Sequence, residues 1–197
     1  KEISDHFSKV IVFSATADRF FYDKILKNTG YDYFHSGIAK NNVDIVQHTE
    51  KSYSKGSMDR GEHPEVEKGD IIITHKSHSK EDVYFGNVEG FDKHKGKNMS
   101  IVGTPIEPVN ATVFKCLLLG LDYGDTIKSK QIFEGDHYDA PLFTFEDENL
   151  RNIECRSILP KLVQSNRART SRTDAKVTVY SSLPSPDADD IKGKTLI

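Results

Sequence analysis

The chain has 197 residues, a formal net charge of −3, and 11 Phe and 8 Tyr among 36% hydrophobic residues. An intrinsically disordered chain would be poorer in aromatic residues, so this class is excluded. No apolar run approaches the ~20 residues of a membrane-spanning helix, and the N-terminus shows no signal-peptide pattern, so we expect a cytoplasmic protein without a membrane partner. Cys116 and Cys155 are too few for a disulfide framework, and both fall in predicted helices.

The first half of the chain predicts alternating strands and helices. Runs of β-branched residues indicate buried strands, and polar or glycine residues that follow them indicate turns and caps. In chain order we predict a buried strand at Lys9–Phe13, a helix at Arg19–Asn28 with Asp18 as a candidate N-cap and Gly30 as terminator, a strand at Val43–His48, a polar loop at Thr49–Lys68, and a strong, central parallel strand at Asp70–Thr74.

The second half continues the same alternation. We predict short strands at Tyr84–Asn87 and Met99–Val102, a helix at Ala111–Leu119 capped by Asn110, an irregular stretch over 121–140, a long helix that starts near Asp147 or Asn149 and is kinked at Pro160, a strand at Ala175–Ser181, and a polar tail. Buried strands that alternate with helices predict an α/β protein with a central, mostly parallel sheet. The shift in composition near residues 30–42 suggests a boundary between residues 1–40 and a domain at 41–183, followed by a tail or linker at 184–197.

Polar or small residues follow four of the predicted strands. Open parallel sheets bind ligands at the carboxyl ends of their strands. Four strands with such endings therefore suggest that this edge of the sheet carries a functional site. The four groups are Ser14-Ala15-Thr16, Thr74-His75-Lys76, Asn87 with Gly90-Phe91-Asp92, and Thr104.

These segments resemble, in their order, the motifs of superfamily 2 helicases. Phe13–Asp18 (FSATAD) resembles motif III, Ile71–Ser77 (IIITHKS) falls where motif IV opens the second domain, Gly90-Phe91-Asp92 resembles the end of motif V, Ser100–Pro105 (SIVGTP) resembles the strand after it, and Gln164–Arg172 (QSNRARTSR) falls where motif VI belongs. The resemblance covers most of residues 9–182 and depends on the ordered set, since no motif is specific alone. It is nearest to divergent phage- or plasmid-encoded replication helicases.

The resemblance implies a RecA-like (P-loop NTPase-like) three-layer domain and assigns roles to several residues. Arg167, Arg169 and Arg172 would be the arginine fingers that reach a nucleotide's terminal phosphates, because a rigid guanidinium holds phosphate oxygens bidentately. The spacing differs from the family pattern of arginines four and seven residues after the glutamine. Here they lie three, five and eight residues after Gln164. The two arginines that contact the phosphates would therefore be either Arg167 and Arg169 or Arg169 and Arg172.

The remaining roles that the resemblance implies fall into three groups. Gln164, Gly90 and Asp92 would contact the nucleotide, and Ser14, Ala15 and Thr16 would couple hydrolysis to movement. Backbone phosphates need donors rather than base readout, so the candidates for nucleic-acid binding are Thr74, His75, Lys76, Asn87 and Thr104. Each of these also has a simpler interpretation as a turn, a cap or an exposed loop residue. His63, His75 and His78 lack a suitably spaced further ligand, so we predict no metal site there.

No Gly-x-x-x-x-Gly-Lys-Ser/Thr loop occurs in the sequence, and no Asp-Glu-x-His/Asp strand precedes Phe13–Asp18. We therefore expect the end of a first RecA-like domain and the whole of a second one. ATP and Mg²⁺ would bind only when a separate N-terminal RecA-like domain is also present. The chain alone would not hydrolyse ATP. The partner polymer would be a nucleic acid, with DNA expected. The alternatives are the motor of a restriction or repair enzyme, a non-catalytic module that binds nucleic acid or protein, and a small-molecule α/β enzyme.

Overall fold

A five-stranded parallel sheet forms the centre of the protein. The structure is a computed structural model, and it describes the residues of the ranges 11–12, 18–26, 30–34, 43–88, 94, 96–124, 129–132, 143–166, 175–185, 188 and 190–192. Its elements in chain order are α1 (Arg19–Ile25), β1 (Asp44–His48), α2 (Lys55–Asp59), β2 (Ile71–Ile73), β3 (Met99–Val102), α3 (Val109–Leu118), β4 (Ser129–Ile132), β5 (Phe143–Phe145), α4 (Glu148–Asn166), β6 (Lys176–Tyr180) and β7 (Asp190–Lys192).

The strand order across the sheet is β2-β3-β6-β1-β7, and every neighbouring pair is parallel. Strands β4 and β5 form a separate antiparallel pair. The predicted α/β class with a parallel sheet is confirmed, and the arrangement is consistent with a RecA-like three-layer fold. None of the helices in the described part of the chain is long and apolar enough to cross a membrane.

One face of the sheet carries the main hydrophobic core. In-register side chains form rows across four strands, because residues paired in a parallel sheet point to the same side. One row consists of Ile73, Ile101, Val179 and Gln47, and all four are fully buried. Burial of such β-branched runs on a sheet face explains why these segments form strands.

The polar member of that row, Gln47, uses both of its N–H donors and its side-chain carbonyl oxygen in hydrogen bonds. Its Nε2 donates to the carbonyl oxygens of Ser181 and Leu183 at 2.9 and 2.8 Å, and its Oε1 accepts from the Ser185 backbone N–H at 2.8 Å. A buried amide is tolerated when its hydrogen bonds are satisfied. Gln47 therefore fixes the path of the chain after β6.

Helices α3 and α4 pack on each other and carry two smaller clusters. Ile158 and Leu162 of α4 pack with Leu183, and Cys116 of α3 packs with Phe145 and Leu150. The two cysteines lie in helices as predicted, Cys116 buried and Cys155 half-buried. The clusters attach the helical layer to β5 and to the segment that follows β6.

An acidic residue before α3 joins the two helices. Glu107 accepts hydrogen bonds from Lys115 of α3 and, at 2.6 Å, from Lys161 of α4, and Lys115 also donates to Ser157 at 2.9 Å. Burial raises the pKa of Glu107, but the two lysines outweigh it and hold that pKa below its ordinary value. The group is therefore ionised at neutral pH.

The N-terminal helix α1 is attached to α4 by one arginine. Arg156 donates to Asp18 Oδ2 at 2.6 Å, and its guanidinium lies 4.4 Å from the centre of the Phe20 ring. Asp18 also caps α1, because its Oδ1 accepts from the Phe20 backbone N–H at 2.9 Å. The predicted N-cap is confirmed.

Several predicted elements agree with the structure. Strands β1, β2, β3 and β6 lie where the β-branched runs predicted them. Asp147 caps α4, since its Oδ1 accepts from the Leu150 backbone N–H at 3.0 Å, and Pro160 lies inside that helix. These elements could be predicted because their β-branched residues or capping residues lie within or next to the element itself.

Other predictions were wrong. The segment Lys55–Asp59 is a short helix inside a predicted loop, β4 lies in a stretch predicted as irregular, and Asp190–Lys192 of the predicted tail is a strand of the sheet. Asn110 lies within α3, which starts after Pro108 without a side-chain cap. Tyr84–Asn87 forms an isolated bridge rather than a strand.

Two predicted strands differ in their surroundings. Within the described sheet, β2 is an end strand instead of the predicted central one. Ile11 and Val12, the described residues of the predicted strand at Lys9–Phe13, lie outside any strand and are each 62% exposed. An apolar run forms a strand only where a neighbouring strand accepts its hydrogen bonds, and no described strand pairs with these two residues.

Candidate functional site

The carboxyl ends of β1, β3 and β6 are joined by hydroxyl groups. Thr104, two residues after β3, is 1% exposed, and its Oγ1 lies 3.0 Å from the Ser52 carbonyl oxygen and 2.9 Å from Ser181 Oγ. Ser182 Oγ lies 3.3 Å from the same Thr104 oxygen. Ser52 belongs to the segment after β1, and Ser181 follows β6 directly. Three strand ends are therefore held together by one buried hydroxyl cluster.

The glycine between β3 and Thr104 is closely covered. Gly103 has a φ of +119°, and a Cβ placed on it would lie 2.9 Å from His75 Nε2 and 2.9 Å from the Tyr53 carbonyl oxygen. The Gly103 N–H donates to the Tyr180 carbonyl oxygen at 2.8 Å. Only glycine combines this conformation with so close an approach. The end of β2 is thereby brought against the ends of β1 and β3.

His75 is the titratable group at the centre of this edge. Its ring contacts the Phe85 ring edge-on, with 5.3 Å between the centroids. Its Nε2 is buried and forms no hydrogen bond within the described part of the chain. Burial lowers the pKa of His75, the charges of His78 and Lys55 lower it further, and the Tyr53 backbone opposes the shift. His75 is therefore neutral at pH 7, and its buried Nε2 has no hydrogen-bond partner among the described residues.

Three aromatic rings line the same edge. The rings of His48 and Tyr180 are stacked with 5.1 Å between centroids, and Tyr53 meets Tyr180 edge-on at 6.2 Å. Tyr53 has a φ of +43°, a left-handed conformation that non-glycine residues seldom adopt. Burial raises the pKa of both Tyr53 and Tyr180, so both phenols stay neutral at physiological pH. Strained backbone of this kind is often found at functional sites.

The five residues predicted to bind nucleic acid differ in exposure. Thr74 and Thr104 are each 1% exposed, and the Thr74 hydroxyl lies 3.6 Å from the Met58 sulfur. Lys76 is exposed, and its Nζ lies 5.5 Å above the Tyr84 ring. Asn87 Nδ2 donates to the Asp82 carbonyl oxygen at 3.2 Å. In this conformation, Lys76 presents a charged donor to solvent, whereas both threonine hydroxyls are engaged inside the protein.

Most other predicted site residues fall outside the described part of the chain. These are Ser14, Ala15, Thr16, Gly90, Asp92, Arg167, Arg169 and Arg172. Gln164 belongs to the last turn of α4. Tyr84–Asn87, the strand predicted before residues 90–92, is only an isolated bridge.

Residues 167–174, which connect α4 to β6 in the sequence, lie outside the described part of the chain.

Sequence reasoning missed part of this edge. Ser52 and Tyr53 lay in a stretch interpreted as polar loop, and Ser181 was assigned only to a strand end. The glycine directly after a β-branched run at Met99–Val102 was the available signal for a close approach. Comparisons with protein families, curated proteins and solved structures gave no match to the chain.

Proposed function

We propose that the chain is the C-terminal RecA-like domain of an ATP-dependent nucleic-acid helicase or translocase. The observation that carries this proposal is the convergence of four parallel strand ends around Gly103 and His75, with the exposed Lys76 beside them. In parallel α/β sheets this edge is where ligands bind. A phosphate backbone is bound by positively charged side chains and hydrogen-bond donors, without contacts to the bases. A glycine at a strand end and an exposed lysine beside it suit such a ligand.

The proposal assigns the nucleotide to a different part of the domain. Arg167 and Arg169, with Arg172 as the alternative, would neutralise charge on the terminal phosphate oxygens during phosphoryl transfer. The sequence contains no P-loop, so a cradle for the triphosphate and Mg²⁺ must come from a separate domain. An arginine that acts across a domain interface makes hydrolysis depend on domain closure.

Replacement of Lys76 by alanine tests the nucleic-acid edge. We expect weaker binding of a single-stranded oligonucleotide and a salt slope (log K against log salt) that is smaller by about 0.7, the value for one phosphate contact on a single strand. Fluorescence anisotropy at several salt concentrations measures both. Lys68, which is also exposed but precedes β2 at the opposite edge, provides the matched control. Equal losses in the Lys68→Ala and Lys76→Ala variants would contradict the assignment of this edge.

Replacement of Arg167 and Arg169 by alanine tests the motor assignment. In a protein that contains this chain together with its P-loop domain, we expect ATP hydrolysis to fall by about 10³-fold or more while ATP binding persists. A module that only binds nucleic acid would instead lose affinity for the oligonucleotide. Magnesium-dependent ATP turnover by the chain alone would overturn the proposal, since these 197 residues include no P-loop.

A further inference from the structure

Three side chains between β2 and β3 form a compact group of metal-ligand types. One imidazole nitrogen of His94 and one carboxylate oxygen each of Glu81 and Asp82 all lie within 4.8 Å of one another. In the portion of the chain that the structure describes, no other group of three or more His, Cys, Asp or Glu residues meets this condition. None of these three side chains is among the residues predicted to bind nucleic acid or nucleotide.

The separation of the His94 and Asp82 ligand atoms fits a shared cation. His94 Nε2 and Asp82 Oδ1 are 3.2 Å apart. Two ligands bound to one transition-metal ion at about 2.0–2.2 Å lie about 2.8–3.6 Å from each other, depending on whether the geometry is octahedral or tetrahedral. The histidine–aspartate pair therefore already has the spacing of two adjacent ligands.

The state of the His94 ring is a second, independent observation. His94 is 4% exposed, and its Nδ1 is buried and forms no hydrogen bond with any described residue. In the metal-free protein the Asp82 carboxylate accepts from Nε2–H at 3.2 Å, which leaves Nδ1 as a buried nitrogen without a donor. A cation bound at Nε2 would replace this proton, and the remaining ring proton would move to Nδ1. A purely structural histidine would be expected to satisfy both ring nitrogens.

The backbone that carries the two carboxylates is held in place. Ser79 Oγ accepts from the Glu81 N–H at 3.2 Å and donates to the Val83 carbonyl oxygen at 2.9 Å. Val83 is 1% exposed and belongs to the main core. The Asp82 side chain is 43% exposed, which leaves an approach from solvent. The group is thus preorganised on one side and accessible on the other.

We propose that Glu81, Asp82 and His94 bind a divalent transition-metal cation, with Zn²⁺ as the preferred ion. One imidazole and two carboxylates form a mixed nitrogen and oxygen ligand set that Zn²⁺ and Mn²⁺ both accept, and Zn²⁺ binds such sites more tightly. Water completes the coordination. The bound ion ties the turn at residues 79–83 to position 94 ahead of β3.

Isothermal titration of the metal-free chain with Zn²⁺ tests the site. We expect one saturable equivalent, and a dissociation constant at least tenfold weaker for the Glu81→Gln/Asp82→Asn double variant. These changes keep side-chain size and lie outside the core, so the variant is expected to fold. The thermal midpoint of the wild-type protein should rise with Zn²⁺ and return with a chelator, whereas that of the double variant should not respond.

The pair of Asp59 and His78 provides the matched control. Asp59 Oδ1 lies 2.8 Å from His78 Nε2, but this pair has no third ligand within the described residues. Asp59→Asn should leave Zn²⁺ affinity within twofold of wild type, and His94→Asn should weaken it as the double variant does. Absence of saturable binding at millimolar Zn²⁺ would overturn the proposal. Wild-type affinity in the double variant, or a loss caused by Asp59→Asn instead, would also overturn it.

Discussion

Replacement of Gln47 by glutamate is expected to lower the free energy of unfolding by about 3–5 kcal/mol at pH 7, the range for an uncompensated buried charge. The Gln47 side chain is fully buried, and its Nε2 donates to the carbonyl oxygens of Ser181 and Leu183. A carboxylate has no proton to donate, so both carbonyl oxygens would face a negative oxygen inside the core. Urea unfolding followed by circular dichroism measures the change.

The pH dependence of this variant gives a second readout. Burial raises the pKa of a carboxyl group above its ordinary value. The loss of stability relative to wild type should therefore be complete above the folded-state pKa and should shrink as the pH falls and the carboxyl takes up a proton. Asn87→Asp is the control, since the Asn87 amide makes one hydrogen bond at an exposed position. A Gln47→Glu protein within about 1 kcal/mol of wild type would contradict the buried amide network.

Replacement of Gly103 by alanine is expected to cost about 2–4 kcal/mol, from strained backbone and from overpacking together. The φ of +119° is unfavourable for any residue with a Cβ, and that atom would lie 2.9 Å from both His75 Nε2 and the Tyr53 carbonyl oxygen. The neighbouring strand ends would have to separate. Chemical unfolding measures the loss, and nucleic-acid binding at this edge should weaken with it if the proposed function is correct.

Gly69 provides a control that separates the two causes. Its φ is +99°, but nothing lies within 4 Å of the position of an added Cβ. Gly69→Ala therefore reports backbone strain alone, and the excess loss in Gly103→Ala reports the close contact. In the His75→Ala background the cost of Gly103→Ala should be smaller, because one of the two contacted groups is gone. Equal costs for the two glycines would argue against a tightly covered Gly103.

The strands of the core could be predicted from sequence because their signals are local. β-branched residues, in a continuous run in β2 and alternating in β6, indicated β1, β2, β3 and β6, and capping residues indicated the starts of α1 and α4. The position of β2 at an end of the described sheet depends on which strands pair, and no local pattern contains that information. Strand β7 has the sequence Asp-Ile-Lys. Because charged residues flank its single apolar residue, it was predicted as part of a polar tail.

The candidate site was predicted in part. The rule that strand ends carry function pointed to Thr74, His75 and Thr104, which do lie at the carboxyl edge of the sheet. It could not show that the Thr104 hydroxyl is engaged inside the protein, because its partners Ser52 and Ser181 are 52 and 77 residues away in sequence. Hydrogen bonds over such separations depend on the assembled fold.

The C-terminal strand β7 also changes how the sheet meets its surroundings. It pairs with β1, and the pairing extends to Thr49, whose N–H donates to the Lys192 carbonyl oxygen at 3.0 Å. Without it, β1 would offer a row of unpaired backbone groups on which another chain could add a strand. A three-residue strand with a charge at each end is a poor template for such addition. In the described sheet, β7 thus covers backbone groups of β1 that would otherwise be open to an added strand.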